Sequence, residues 1–333
     1  MSSLRVFITG VDDPWFNLAT EDWIFRDMDP DHQVLFLWRN SDTVVIGRFQ
    51  NPWAECRVDK METDGVRLAR RQSGGGAVFQ DLGNTCFTFL SGRNNYSIER
   101  NFEIIIRALR RFGIDAAMSG RNDILVDGRK VSGSAFKLTA DRAFHHGTLL
   151  ISTDLGRLAH YLNPDAGKLV AKGISSVRSR VANLSEFYSG LTGEVLSQAV
   201  IEEFFNTYQD RCPVEELNYE TLKDIPHLAD YYRHMADWDW RFGKTPEFSH
   251  HLETRFSWGG VNLHLDVRRG IIRQARVYSD CLYPDVIEGL QGVLPGVRYL
   301  KDDLVAAVAA IPTADEAEKS LVAEIADWLS DNL

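Results

Sequence analysis

Residues 70–79 read Arg-Arg-Gln-Ser-Gly-Gly-Gly-Ala-Val-Phe, and the consecutive glycines Gly74, Gly75 and Gly76 constrain the fold more than any other stretch. Glycine loses more conformational freedom on folding than any other residue, so a triplet persists where backbone must pass close to something. That something is often an anion approached through backbone N–H groups. The triplet separates two apolar runs, 66–69 and 77–79, which reads as strand, glycine turn, strand. Arg70 and Arg71 at its mouth suit a phosphate or carboxylate. The stretch alone fits equally well a flexible hairpin loop with solvated arginines.

The chain has 333 residues, enough for a large core and two domains. At 44% hydrophobic and 25% charged it has the composition of a soluble globular protein. A net charge of −10 argues against broad nucleic-acid binding but leaves room for a small basic pocket. No run is long and apolar enough for a membrane span, and no secretory leader precedes the first apolar run, so a cytoplasmic location is expected. Cys56, Cys86, Cys212 and Cys281 are scattered and form no CxxC pair, as expected of ordinary intracellular thiols.

Short apolar runs at 4–8, 34–38 and 43–46 fit buried strands. Asp13-Pro14 begins a helix, and Asn51-Pro52 begins another that Gly65 ends. Runs 77–79 and 86–90 read as paired strands, and 103–112 as a helix closed by Gly113. Asp127-Gly128 makes a hairpin of 123–126 and 130–136, with a further strand at 143–152. Helices are expected at 194–208 and 221–235. Strands joined by short turns indicate an α+β fold, a mixed or antiparallel sheet packed with helices. After a linker near 245, alternation at Val261, Leu263, Leu265 and Val267 begins a hairpin, and helices at 286–290, 301–310 and 314–329 follow. The expected domains are 1–245 and a small α+β domain at 248–333.

Several common catalytic signatures are missing: GxSxG, HExxH and CxxC. The segment Gly128 to Ser134 has the glycine spacing of a phosphate loop but lacks its lysine and lies in a hairpin. His145-His146 and His250-His251 are adjacent pairs; strand neighbours point to opposite faces, which favours structural roles. What remains is a set of cations around polar turns: Arg70, Arg71, Lys130 beside Asn122-Asp123, and the basic stretch 168–180. Such a set suits phosphoryl chemistry, where positioning and charge neutralisation dominate. Lys130 and the basic stretch equally fit solvated surface charges.

Taken together and in order, Asp13 to Ala19, Arg70 to Phe79, Ser119 to Asp123, Gly128 to Ser134, Phe144 to Leu150 and Ala171 to Arg180 resemble the lipoate–protein ligase A family, part of the biotin/lipoate ligase superfamily. The resemblance covers essentially the whole chain. It implies a catalytic lipoate- and ATP-binding domain followed by an accessory domain. The implied reaction activates lipoate with ATP and Mg2+ to lipoyl-AMP, releasing pyrophosphate, and then acylates a lysine of an apo lipoyl domain or of the glycine-cleavage H protein.

By resemblance, Arg71, Ser73, Gly74, Gly75, Gly76, Ala77, Val78, Phe79, Asn122, Asp123 and Lys130 bind ATP and lipoate. Lys130 matches the lysine that touches both the lipoyl carboxyl and the phosphate, and it is the catalytic candidate. Lys168, Lys172, Gly173, Ser176, Val177 and Arg178 match a loop that closes over the adenylate. Gln80 departs from the family pattern, which has His there; it removes no catalytic group.

Three alternatives fit these motifs less well. An octanoyl or lipoyl transferase of the superfamily needs a cysteine thioester, yet no cysteine lies between Cys86 and Cys212, and Lys172-Gly173-Ile174 stands where Cys-Gly-Ile is required. Biotin–protein ligase requires a Gly-Arg-Gly-Arg motif that is missing. A non-catalytic lipoate carrier does not explain the Lys130 hairpin. Metal ligands, acceptor identity, oligomeric state and the choice of octanoate against lipoate are not encoded in any motif.

Overall fold

The computed structural model describes residues 4–120, 122–162, 181–242 and 250–332. It divides into two compact units. The first comprises residues 1–46, 52–71 and 77–241, and the second 47–51, 72–76 and 242–333. The glycine triplet therefore groups with the C-terminal segment, although the strands on either side of it do not.

Strands of the first unit are β1 (Leu4–Thr9), β2 (Gln33–Trp38), β3 (Thr43–Ile46), β4 (Arg67–Arg70), β5 (Val78–Gln80), β6 (Asn84–Gly92), β7 (Ala116–Ser119), β8 (Asp123–Val126), β9 (Arg129–Leu138), β10 (Arg142–Leu150) and β11 (Val214–Leu217). Among the described residues they form an eight-stranded sheet, β11-β1-β2-β6-β10-β9-β8-β7, and a three-stranded sheet, β4-β3-β5. The large sheet is mixed: β1 pairs in parallel with β2 and β11, and β2 with β6 antiparallel.

One face of the large sheet carries Leu35, Leu37, Phe87, Phe89 and Leu149 against helices Ile98–Arg110 and Gly193–Tyr208. The other carries Phe36, Trp38, Cys86, Leu90 and Phe144 against helix Pro14–Asp27. That helix starts as expected: the Asp13 carboxylate accepts a hydrogen bond from Trp15 N at 2.9 Å, with Pro14 in the first turn.

Two pairings differ from the sequence reading. β4 and β5 do not pair with each other; both flank β3, one parallel and one antiparallel. The glycine segment is therefore a connection that passes around β3, not a hairpin turn. β5 and β6 lie in different sheets. Two expected helices are also divided. The one after Asn51 becomes Pro52–Glu55 and Val58–Thr63. The one after 221 breaks between Thr221–Asp224 and Leu228–Ala236, where Pro226 removes a backbone donor.

The histidine pair straddles the sheet. His145 is fully buried among Phe87, Phe89, Phe102 and Phe136, with ring centroids 4.7–6.1 Å away, and neither ring nitrogen has a hydrogen-bond partner. Burial holds its pKa well below the ordinary histidine value. A depressed folded pKa stabilises fully above the unfolded value near 6.5 and loses that contribution as pH falls, because only the unfolded chain then takes the proton. Between pH 7.5 and 5.5, His145→Leu should lose about 1.4 kcal/mol less stability than the parent. Urea unfolding at the two pH values measures this; equal losses would contradict it.

The second unit has strands β12 (His250–Phe256), β13 (Gly259–Arg268) and β14 (Ile271–Ser279) in one antiparallel sheet. Val261, Leu263, Leu265, Ile272 and Val277 pack against helices Pro284–Val293, Lys301–Ala309 and Glu316–Asn332. The β13–β14 turn carries Arg269 and Gly270, both at positive φ. No helix among the described residues is long and apolar enough to cross a membrane.

Candidate active site

Strand geometry positions Lys130. β8 and β9 form the expected hairpin, with Asp127 at φ 49° and Gly128 at φ 73° in its turn. Pairing runs Asp123↔Gly133 and Ile124↔Ser132, then slips to Leu125↔Lys130. Val131 is thus the extra residue of a bulge, and a bulge re-aims the side chains beside it. Lys130 Nζ reaches Asp123 Oδ1 at 2.7 Å, both side chains about one-third exposed. A Cβ on Gly133 would lie 2.8 Å from that ammonium, so the missing side chain makes room for it. Asn122 fixes the approach: Ser134 N donates to its carbonyl at 2.8 Å, and its Nδ2 donates to Ser134 O at 2.9 Å.

From this pair a row of small residues crosses the sheet. Gly133 stands opposite Asp123, and the Thr148 hydroxyl lies 3.4 Å from Gly133 N and O. Thr148 pairs with Cys86, and Cys86 with Trp38. Directly opposed antiparallel residues share a face, so Gly, Thr and Cys make a low floor between an aromatic end and a cationic one. With strands about 4.8 Å apart, four steps from β2 to β8 span about 19 Å.

The adjoining row on the same face is Phe36, Thr88, His146 and Ala135. Helix Pro14–Asp27 lowers Glu21 on to it. Thr88 Oγ1 donates to Glu21 Oε1 at 2.7 Å, His146 Nδ1 lies 2.8 Å from the same oxygen, and Trp38 Nε1 donates to Thr88 Oγ1 at 3.1 Å. Glu21 is 2% exposed, which leaves this polar network wholly inside an otherwise apolar layer. Burial, reinforced by the Glu21 carboxylate, pushes the Cys86 thiol above its ordinary range, so it is a poor nucleophile.

The two arginines at the end of β4 diverge, as strand neighbours do. Arg70 turns to helix Trp238–Arg241, donating through Nε to Trp240 O and through Nη2 to Arg241 O, both at 2.8 Å. Two C-terminal helix carbonyls thus hold the Arg70 guanidinium. Arg71 is buried too, with Nη1 donating to Val45 O at 3.1 Å. Burial lowers its pKa to about 10 against the opposing pull of Glu21, so it remains a cation at neutral pH at a desolvation cost that an anion would offset. Of the residues after the glycines, Val78 packs toward the Trp38 layer, while Phe79 faces away and stacks on Tyr161 at 5.5 Å. Ala77 is part-exposed. Gln80 is buried and its Oε1 accepts from Asn40 Nδ2 at 2.8 Å.

In the second unit the three glycines differ. A Cβ on Gly74 would come within 1.9 Å of Cys281 O, and Gly75 sits at φ 89° and donates its N–H to that oxygen at 3.0 Å. Gly76 is part-exposed, and a Cβ there would meet nothing within 4 Å. Ser73 is fully buried, and its carbonyl accepts from Arg48 N at 2.9 Å. Lys168, Lys172, Gly173, Ser176, Val177 and Arg178 lie outside the described residues.

Glu21, Trp38 and Thr88 were not singled out in the sequence, and His146 was read only as one of a structural pair. One signal was available: Glu21 follows Asn17 by four residues on the helix and precedes Ile24 and Phe25, which places a carboxylate on an apolar face.

Residues 13–205 match the family described as lipoyl protein ligase A/B catalytic domain, and residues 245–329 the bacterial lipoate protein ligase C-terminus. The lipoate-protein ligase A of Psychrobacter cryohalolentis is 55% identical over 331 residues, covering 98% of each chain. Among solved structures, P. falciparum LipL1 in complex with lipoate superposes with a TM-score of 0.88 at 33% identity, over 99% of this chain and 100% of that one. A lipoate-protein ligase A bound with ATP gives 0.63 at 25% identity, over 72% of this chain and 99% of that one. The bipartite lipoate protein ligase of Thermoplasma acidophilum, solved with its E2 lipoyl domain, gives 0.65 at 25% identity, over 75% and 100%. With both family domains matched in order, and more than half its residues shared with a near full-length relative, the chain belongs to the lipoate–protein ligase family.

Proposed function

We propose that the chain activates lipoate with ATP as lipoyl-AMP and transfers the lipoyl group to a lysine of an apo lipoyl domain. The observation that carries this reading is the Lys130–Asp123 pair over Gly133, at one end of a floor of small residues. An acyl chain laid along that floor presents its carboxylate to Lys130 and its apolar tail to Trp38. LipL1 with lipoate and the ATP-bound ligase are the comparisons that bear on the ligands.

In the first step a carboxylate oxygen attacks the α-phosphorus, and the bond to the β-phosphate oxygen breaks, releasing pyrophosphate. Lys130 neutralises charge shared between the carboxylate and the α-phosphate, and Asp123 holds the ammonium in place. Arg71 and the backbone of residues 73–76 are assigned to the phosphates. In the second step the neutral lysine amine of the acceptor attacks the acyl carbon, AMP leaves with the former carboxylate oxygen still on phosphorus, and the nitrogen loses a proton to solvent. Lys130 again stabilises the departing charge.

Magnesium is assigned to the nucleotide's phosphates, whose charge it offsets. Among the described residues no group of three or more His, Cys, Asp or Glu side chains could hold a metal ion. The acceptor class rests on the archaeal ligase crystallised with its E2 lipoyl domain, with H protein and octanoate as further expected substrates. Four free cysteines agree with the cytoplasmic location proposed here.

Mass spectrometry of an apo lipoyl domain tests the reading. Its lysine should gain one lipoyl group only when ATP, Mg2+ and lipoate are all present. Modification from an acyl-carrier thioester without ATP would replace the ligase by a transferase.

A further inference from the structure

Lys130 sits on a weakly paired stretch of β9. The bulge at Val131 interrupts its ladder with β8, and pairing with β10 covers only Ser134 to Leu138. On the side away from β8, Lys130 is bridged to Val181, and Ala182 N donates to Lys130 O at 3.0 Å. Ala182 and Leu184 are fully buried in the core on one face of the large sheet, which makes this stretch a fixed point. A short helical turn, Leu184–Glu186, follows and brings a carboxylate back toward the hairpin.

That carboxylate closes a ring around Lys130. Glu186 Oε1 accepts from Asn183 N at 2.9 Å, and Glu186 Oε2 accepts from Arg129 Nη1 at 2.7 Å. The Arg129 guanidinium also lies 4.8 Å from the centre of the Phe187 ring. Hydrogen bonds from Ala182 to Lys130, from Asn183 to Glu186 and from Arg129 to Glu186 thus tie the start of β9 to the stretch after it. The Asn183 N–H, reinforced by Arg129, holds the Glu186 carboxyl below its usual range, so it is charged at neutral pH. The Arg129 and Glu186 side chains are 35% and 45% exposed, which limits what their pair adds to stability. Placement is a separate matter: moving a catalytic group by about 1 Å can cost about a hundredfold in rate.

We propose that Glu186 is a positioning residue for Lys130: by bridging Arg129 and Asn183 it holds the bulged start of β9 where the ammonium meets Asp123. The inference rests on the ligase reading, in which Lys130 is the catalytic cation. Glu186 acts through Lys130 and is not itself a catalytic group.

In lipoate-dependent ATP–pyrophosphate exchange, Glu186→Ala should lower kcat about tenfold while KM for ATP and KM for lipoate stay within about twofold. Arg129→Ala, which removes the other end of the bridge, should match it. In a Lys130→Ala background Glu186→Ala should change nothing further, because its route is already lost. An unchanged kcat would overturn the proposal, as would an equal additional loss in the Lys130→Ala background. So would a fall in kcat accompanied by a rise in both KM values and a lower thermal midpoint. Amide hydrogen exchange at Ala182 judges the ring without any activity: it should be protected in the parent and about tenfold faster in Glu186→Ala. Equal exchange in the two proteins would overturn the ring. Absence of pyrophosphate exchange in the parent would overturn the ligase reading alone.

Discussion

Lys130→Ala should lower turnover by about two to three orders of magnitude while leaving the fold intact. Among the described residues, the Lys130 ammonium is the cation placed against Asp123 and Gly133 at the end of the small-residue floor. In the proposed mechanism charge builds in both steps on oxygens beside Lys130, where a preorganised cation stabilises it. The pair is about one-third exposed, so its loss should cost stability no more than about 1 kcal/mol. Steady-state lipoylation with a parallel unfolding curve separates the two effects. Near-parental turnover in a folded Lys130→Ala protein would remove Lys130 from the mechanism. Arginine should rescue poorly, because a planar fork does not fit the space that Gly133 leaves for a compact ammonium.

Gly74→Ala should destabilise the second unit by about 3 kcal/mol. The added methyl would meet Cys281 O at 1.9 Å, and both sides of that contact are backbone, so no side-chain rotation relieves it. Cys281 is held in turn by Ser279 and cannot retreat without breaking the bonds that anchor the turn. Gly76→Ala is the matched control. Its Cβ would meet nothing, so the substitution should leave stability within about 1 kcal/mol and weaken ATP binding instead. Thermal unfolding and nucleotide titration of both variants check the pair. Equal stability would show that the triplet is not pressed against Cys281.

These two glycines also show what the sequence could and could not convey. A close approach was one of two readings that the triplet offered, beside a flexible loop. What it approaches was not readable, because two of its glycines answer to protein backbone more than two hundred residues away. A Cβ on Gly76 would meet nothing, so packing does not account for the third glycine. The same holds for the sheet. Apolar runs marked β2, β3, β6, β9 and β10, since buried strands are short and continuous. Alternation carries no record of which strand lies beside which, so the placing of β4 and β5 on either side of β3 was missed. The floor of Cys86, Thr148 and Gly133 was invisible for a related reason: three unremarkable residues from three strands become a feature only when register aligns them. Arg70 and Arg71 looked alike in the sequence, although period two already required them to part. Pro226 was a plain stop signal inside a helix that was read through it.

Pyrophosphate release from the purified chain tests the central claim most directly. With ATP, Mg2+ and lipoate but no acceptor, release should be lipoate-dependent and stop near one equivalent per active site. Adding an apo lipoyl domain should convert it to continuous turnover, with AMP and lipoylated lysine formed in equal amounts. Release that ignores lipoate, or acceptor modification with no pyrophosphate at all, would contradict a two-step ligase.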